Sequence, residues 1–342
     1  MFIHFEENKM DDFHKEPSGL AVTHVDDMLS AGGNRFETEV IEKMKQQFKF
    51  GSEEELEFRY VGLNIKQHEQ EISVNNDHYI EAMRLPNMEL VKNLKANEEM
   101  ESEGQTEFRS VMGRLTALAH TSRPDICFSV KTLSSRFGKA TKKDLQTASK
   151  LMLKLKSETT SMTFPDIGKD LKDWVLVGHG DVGVKSMPDK VNSVGGHVVM
   201  LCNIKTNKCC ILSWKSKQIH RKVVSSLAGE ALAMIATIGE LVYTKAVLEQ
   251  LYGKRVNDIP TVVVTDSKNL EVAIKSTSLV EDSWLIPEIA VIKEAVENKT
   301  VTSVRRVSSQ EMLADCLTKA GASGAVLLEV LRNGEYKVPG GW

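Results

Sequence analysis

Apolar positions recur along this chain with two periods, and the places where the period changes divide it into three blocks. In the first, an apolar stretch at 20–23 leads into His24-Val25-Asp26-Asp27, and a second at 28–31 leads out before Gly32-Gly33. Two short apolar arms around an acidic turn predict a β-hairpin. Phe36, Val40, Ile41, Met44 and Phe48 follow at helical spacing, and Leu56, Phe58 and Tyr60 then alternate as in a strand. Gly62, ahead of Leu63 and Ile65, predicts a bulge that resets the alternation. Residues 97–106 are acidic and polar and are expected to be a linker.

The second block has the helical period throughout. Phe108, Val111, Leu115 and Leu118 form one stripe. Ser122, Pro124 and Asp125 predict a helix start, with Ile126, Val130, Leu133 and Phe137 on its buried face. Thr141 with Asp144 three residues later opens another helix, which carries Leu145, Ala148, Met152 and Leu155. After a polar stretch at 157–173, the last block predicts strands at 174–180, 193–202 and 209–214, then a helix at 227–252 stopped by Gly253. A strand at 261–265, helical segments at 269–275 and 281–297, a strand at 301–307 and a closing helix at 310–333 complete it. This order describes a mixed sheet flanked by helices, an α+β (mixed α/β) chain.

The chain has 342 residues, enough for two or three domains. At 41% hydrophobic and 27% charged it has the composition of a globular protein. No apolar run approaches the length of a membrane span, and residues 1–7 lack a signal pattern. The five cysteines (Cys127, Cys202, Cys209, Cys210, Cys316) are odd in number and lack zinc-site spacing. A reduced, intracellular location, cytoplasmic or nuclear, is therefore expected. The net charge of −3 exerts no general pull on nucleic acid, so such binding needs local basic patches or bound cations.

Four acids stand in informative places. Asp181 is predicted at the exit of the first strand of the last block, and Asp266 at the exit of Val262-Val263-Val264-Thr265. Glu230 shares a helical stripe with Met234, Ile238 and Leu241, so it lies on a face destined for burial, where a carboxylate needs a partner or cation. Asp315 falls in the closing helix, after Leu313 and Ala314. Convergent carboxylates raise one another's pKa unless a cation lies between them, and Mg²⁺ prefers such oxygen ligands. Two such ions roughly 3.5–4 Å apart activate water and stabilise the leaving oxygen of a phosphodiester. Plainer roles exist: Asp266 as a helix cap, Asp315 as a solvated acid, Asp181 as a turn residue. Lys215, Lys217, His220, Arg221 and Lys222 form a dense basic run between the third strand and the long helix, either a solvated loop or a grip on phosphates.

The last block resembles the ribonuclease H domain of copia-type retrotransposon polyproteins. The matching stretches are Gly180-Asp181, Ser213-Trp214-Lys215-Ser216-Lys217, the run from Ser225 through Glu230 to Ala233, Thr265-Asp266-Ser267, and Leu313-Ala314-Asp315-Cys316-Leu317-Thr318-Lys319. The resemblance implies a ribonuclease H-like mixed five-stranded sheet flanked by helices over 174–335. It implies an active site of Asp181, Glu230, Asp266 and Asp315 holding two Mg²⁺ ions, with Mn²⁺ as substitute, and cleavage of the RNA strand of RNA–DNA hybrids. The hybrid would be read by backbone shape and 2′-hydroxyls, not base sequence. The family carries a small residue and serine beside its first aspartate, where this chain has Val182 and Gly183, a departure that bears on metal geometry. Cellular ribonucleases H often place a histidine before the last aspartate; none occurs between Val301 and Asp315.

His24-Val25-Asp26-Asp27 resembles the Tyr-Val-Asp-Asp hairpin of retroelement reverse transcriptases, with Thr121-Ser122-Arg123-Pro124-Asp125-Ile126 a typical copia-type stretch downstream. The resemblance implies a partial palm at 1–96 and a helical thumb or connection at 107–156. Polymerisation needs a further aspartate from an earlier strand. Twenty-five residues precede Asp26, and Asp11-Asp12 lies in a polar stretch unlike that strand, so no polymerase activity is expected from this chain alone. The expectation is a truncated element enzyme with an intact nuclease. The alternatives are a non-catalytic nucleic-acid-binding remnant, and the C-terminal portion of an active RNA-directed DNA polymerase. Other element-encoded chains are candidate partners, no membrane is, and the oligomeric state is left open.

Overall fold

The computed structural model describes residues 2–5, 17–276 and 285–341. Asp11, Asp12 and the predicted helical positions 281–284 lie outside the described residues.

The acidic turn closes a hairpin as predicted. Strands β1 (Phe2–Phe5), β2 (Pro17–His24) and β3 (Asp27–Gly32) form an antiparallel sheet in that order, with His24 paired to Asp27. The helix that follows is broken in type: α1 (Asn34–Phe36) passes through a π turn, Glu37–Ile41, into α2 (Glu42–Gln47). Phe36 and Ile41 are buried, but Phe48, read as continuing the helical spacing, falls beyond the helix and is 61% exposed. Strands β4 (Glu57–Tyr60) and β5 (Leu63–Gln67) are two arms of a hairpin. Val61 and Gly62, with φ of 48° and 77°, make the tight turn, so Gly62 reverses the chain rather than bulging it. Strand β6 (Glu71–Asn75) pairs with β5, and helix α3 (Asp77–Ala82) follows it.

Helix α4 (Ser102–Thr121) begins inside the expected linker. Its stripe of Phe108, Val111, Leu115 and Leu118 is fully buried. A 3-10 turn, Pro124–Ile126, leads into α5 (Cys127–Ser134), and the predicted capping box of Thr141 and Asp144 opens α6 (Lys142–Ser157). Phe137, expected in the core, is 47% exposed and sets its ring edge against Phe108. The second polar stretch is also not a simple linker: its strand β7 (Met162–Pro165) pairs antiparallel with β6.

The last block forms the predicted mixed sheet. Strands β8 (Trp174–Gly183), β9 (Ser193–Asn203) and β10 (Cys209–Ile219) are successive antiparallel neighbours. Helix α7 (Ser226–Tyr252) crosses to β11 (Thr261–Thr265), which runs parallel to β8. Helices α8 (Lys268–Lys275) and α9 (Ile286–Glu297) lead to β12 (Ser303–Arg306), parallel to β11. The order is β10-β9-β8-β11-β12. Strand β8 is buried along its whole length, which explains the apolar run Trp174-Val175-Leu176-Val177 at its start. On one face Leu176, Val199 and Val263 meet Met234, Ile238 and Leu241 of α7 and Ile289 and Ile292 of α9. On the other, Val175, Val177, Met200 and Val264 share a core with Leu115, Leu145 and Met152 of the helical block. The stretch Ser226–Asp258 is long and apolar enough to cross a membrane by length and composition, which corrects the expectation that no run is. Its buried side lies on the sheet.

The expected closing helix at 310–333 is instead two 3-10 turns, Ser309–Glu311 and Asp315–Leu317, followed by α10 (Ala325–Asn333). Asp315 therefore sits on a short turn, which packs against the turn Pro124–Ile126. Beneath it, Arg123 and Asp125 form an almost fully sequestered ion pair, with side chains 1% and 5% exposed and Nε 2.8 Å from Oδ1. Arg123 Nη1 also donates to the carbonyl of Glu158 at 2.8 Å. Removing one member of such a pair strands a buried charge and costs about 3–5 kcal/mol. Asp125→Ala is expected to lower the unfolding free energy by that amount in urea titrations. Glu89→Ala, which breaks the exposed pair with Lys92, should lower it by less than about 1 kcal/mol.

Candidate active site

Asp181 lies within β8, not at its exit, because β9 continues alongside and pairs Gly196 with Asp181. Strand β11 is last paired to β8 at Val264 and His179, so β8 runs on past it. This brings Asp266, directly after β11, to the level of Asp181. Asp266 does not cap α8: Ser267 does, accepting from the amide of Leu270 at 3.3 Å. The carboxylate of Asp266 is left to face the cluster, where Oδ2 accepts from Ser309 Oγ at 2.6 Å. Ser225 caps α7, and Glu230 follows in its second turn, near the positive end of the helix dipole.

Asp181, Glu230 and Asp266 each offer a ligand oxygen, and these oxygens all lie within 4.8 Å of one another. Asp181 and Glu230 are buried and Asp266 is half-buried. Among the described residues Oε2 of Glu230 is buried with no hydrogen-bond partner. Burial, reinforced by the charges of Asp181 and Asp266, pushes the Glu230 carboxyl up to about 8. Burial also raises Asp181, against the opposing pull of Lys319 and Thr318. An unpartnered buried oxygen amid three convergent carboxylates fits a hard divalent cation, whose charge relieves the repulsion.

Asp315 stands beside this triad rather than within it. Lys319 Nζ lies 2.6 Å from Asp315 Oδ1 and 3.1 Å from Asp181 Oδ1, and so bridges the two. Thr318 donates its hydroxyl to Asp181 Oδ2. The sequence alone did not single out Thr318, Lys319 or Ser309 as site residues. The spacing of Asp315, Thr318 and Lys319 on one turn was a usable signal, whereas nothing local distinguishes Ser309. Gly183 has a spatial role: a Cβ there would fall 2.0 Å from the carbonyl oxygen of Thr318. Its lack of a side chain lets the turn carrying Asp315 close onto β8.

The basic run is divided by the fold. Strand β10 continues to Ile219 because β9 offers it partners down to Ser193, so Lys215 and Lys217 are exposed on an edge strand, not in a loop. Arg221 is paired with the buried Glu288 of α9, and His220 and Lys222 are exposed. Asp26 and Asp27 lie at an exposed turn and join no metal-capable group among the described residues.

No protein-family model matches the sequence, and no curated protein does. Among solved structures, the chain is similar to an RNase H1 isolated from compost by a metagenomic approach: 17% identity, 42% of this chain and 92% of that one, TM-score 0.32. The N-terminal RNase H domain of a Mycobacterium tuberculosis protein is similar at 16% identity over 42% of this chain and 89% of that one, TM-score 0.30. A foamy viral protease-reverse transcriptase in complex with double-stranded DNA is similar at 11% identity over 84% of this chain and 55% of that one, TM-score 0.24.

The raised Glu230 carboxyl has a direct consequence for metal-free protein. The folded state holds this proton up to pH of about 8, whereas the unfolded chain releases it near 4.5. Between those values the folded state binds more protons, so stability falls as pH rises, by about 3–5 kcal/mol in total. Urea unfolding in chelator at pH 5, 6.5 and 8 should show this fall, and Glu230→Gln should flatten it.

Proposed function

We propose that this chain is a metal-dependent ribonuclease H-type endonuclease that hydrolyses the RNA strand of RNA–DNA hybrids. It would belong to a copia-type retrotransposon polyprotein, as the C-terminal part of a reverse transcriptase with its ribonuclease H domain. The observation that carries the reading is the convergence of Asp181, Glu230 and Asp266 around the unpartnered oxygen of Glu230. Such a site attracts divalent cation, and phosphodiester hydrolysis uses it.

In this reading Asp181, Glu230 and Asp266 hold Mg²⁺, with Mn²⁺ as substitute, and Asp315 completes the set when a second ion binds. Bound divalent cation supplies an activated water and stabilises the charge on the leaving oxygen. The chain's own contribution is rigidity. Thr318 orients Asp181, Ser309 orients Asp266, and α7 holds Glu230 against the sheet. Lys215 and Lys217 on the edge strand would meet backbone phosphates, which position a hybrid without reading its bases. Intracellular action beside other element-encoded chains accords with this role. The competing reading is a non-catalytic nucleic-acid-binding remnant, and the ion pairs of Lys319 with Asp181 and Asp315 are the feature that favours it. Asp26 and Asp27 lie at an exposed hairpin turn, and a two-metal polymerase site there would need a further acid from another segment.

Purified chain with Mg²⁺ or Mn²⁺ is expected to cut only the RNA strand of a labelled hybrid. Asp266→Asn should lower the rate at least about a hundredfold, the scale of removing one strong transition-state interaction. Folded wild-type protein that binds the hybrid yet leaves it intact with both metals would establish the remnant instead. Lys215→Ala with Lys217→Ala is expected to weaken hybrid binding equally for all sequences. The slope of log affinity against log salt should fall by about 1 for each phosphate the variant no longer neutralises.

A further inference from the structure

Both carboxylate oxygens of Asp181 accept from the turn that carries Asp315, Oδ2 from Thr318 and Oδ1 from Lys319. The ammonium of Lys319 thus bridges the first and last of the four acids, while the oxygens of Asp181, Glu230 and Asp266 converge within 4.8 Å of one another and Oε2 of Glu230 has no hydrogen-bond partner. We infer that Lys319 is a built-in cation that reserves the second metal position. The nucleic-acid-free chain then takes up a single divalent ion, at Asp181, Glu230 and Asp266, and a second ion enters only when Lys319 withdraws. This rests on the nuclease reading, since it concerns the same four acids.

Charge balance supports it. With all four acids ionised, the ammonium and one divalent ion leave the cluster with one negative charge. A second divalent ion beside an undisplaced ammonium would make it positive, with like charges touching in a poorly solvated place. Without the ammonium, two divalent ions neutralise the four acids. Lys319 is also able to leave. Its side chain is 38% exposed while that of Asp181 is 0% exposed, and its stem is long and flexible. A phosphate of an arriving hybrid offers the ammonium a competing anion, so the substrate itself would release the second position.

The test is to titrate the full chain with Mn²⁺ in the absence of nucleic acid and count bound ions by electron paramagnetic resonance. Wild type should bind one ion per chain, Lys319→Arg one, and Lys319→Met two. Should Lys319→Met fail to fold, Lys319→Gln carries the same count. Equal numbers of ions with equal affinities in wild type and the neutral variant overturn the role of Lys319. The nuclease reading then survives if Asp266→Asn weakens binding. No ion in wild type, or binding by Asp266→Asn that equals wild type, sinks the nuclease reading and this inference with it.

Discussion

Carboxylates held within reach of one cation repel one another, and burial magnifies the repulsion because little water is present to screen it. Asp181, Glu230 and Asp266 are in this position, and much of the surrounding structure answers it. Lys319 brings a positive charge against Asp181 and Asp315. Thr318 and Ser309 each give a hydroxyl hydrogen to one carboxylate. Without added cation, Glu230 keeps its proton near neutral pH instead of adding another negative charge. Packed hydrophobic groups in place of such buried charges are often neutral or stabilising, so the cluster brings the fold no stability of its own.

Holding mutually repelling groups together requires a stiff frame, and the core supplies it from both faces of the sheet. Helices α7 and α9 cover one face, and the helical block with α10 covers the other. The second of these layers reaches the site itself. Trp214 of β10 donates its indole N–H to the carbonyl of Ala119 in α4, and Ser216 donates to the carbonyl of Leu317 on the turn that carries Asp315. The Arg123–Asp125 pair lies under that same turn. The helices before the sheet therefore pack against the segment that presents Asp315, and their apolar stripes serve the five-stranded sheet as well as their own block.

Much of this was legible in the chain. Strands β8, β9 and β11, helices α4, α6 and α7 with the cap at Thr141 and the stop at Gly253, and the hairpin at Asp26-Asp27 follow from period, capping chemistry and turn composition, which act over a few residues. So does the oddity of Glu230, because an acid in an apolar helical stripe is conspicuous before any fold is known. Other features needed partners far away in sequence. The polar stretch at 157–173 yields β7 only because β6, roughly ninety residues earlier, offers an unpaired edge. Lys215 and Lys217 lie on a strand because β9 is long enough to pair them, and Phe48 is exposed because its helix ends one residue before it.

The local sequence determined which acids would be available and roughly which elements would carry them, because side-chain periodicity and capping are properties of neighbouring residues. The tertiary structure decided how those acids meet: Asp181, Glu230 and Asp266 around a common point, Asp315 held aside by Lys319, Ser309 and Thr318 as their donors. Those interactions span up to 138 positions of chain. They depend on where β8 outlasts β11, and on a turn at Asp315 that packing imposes where helical propensity alone predicted a continuous helix.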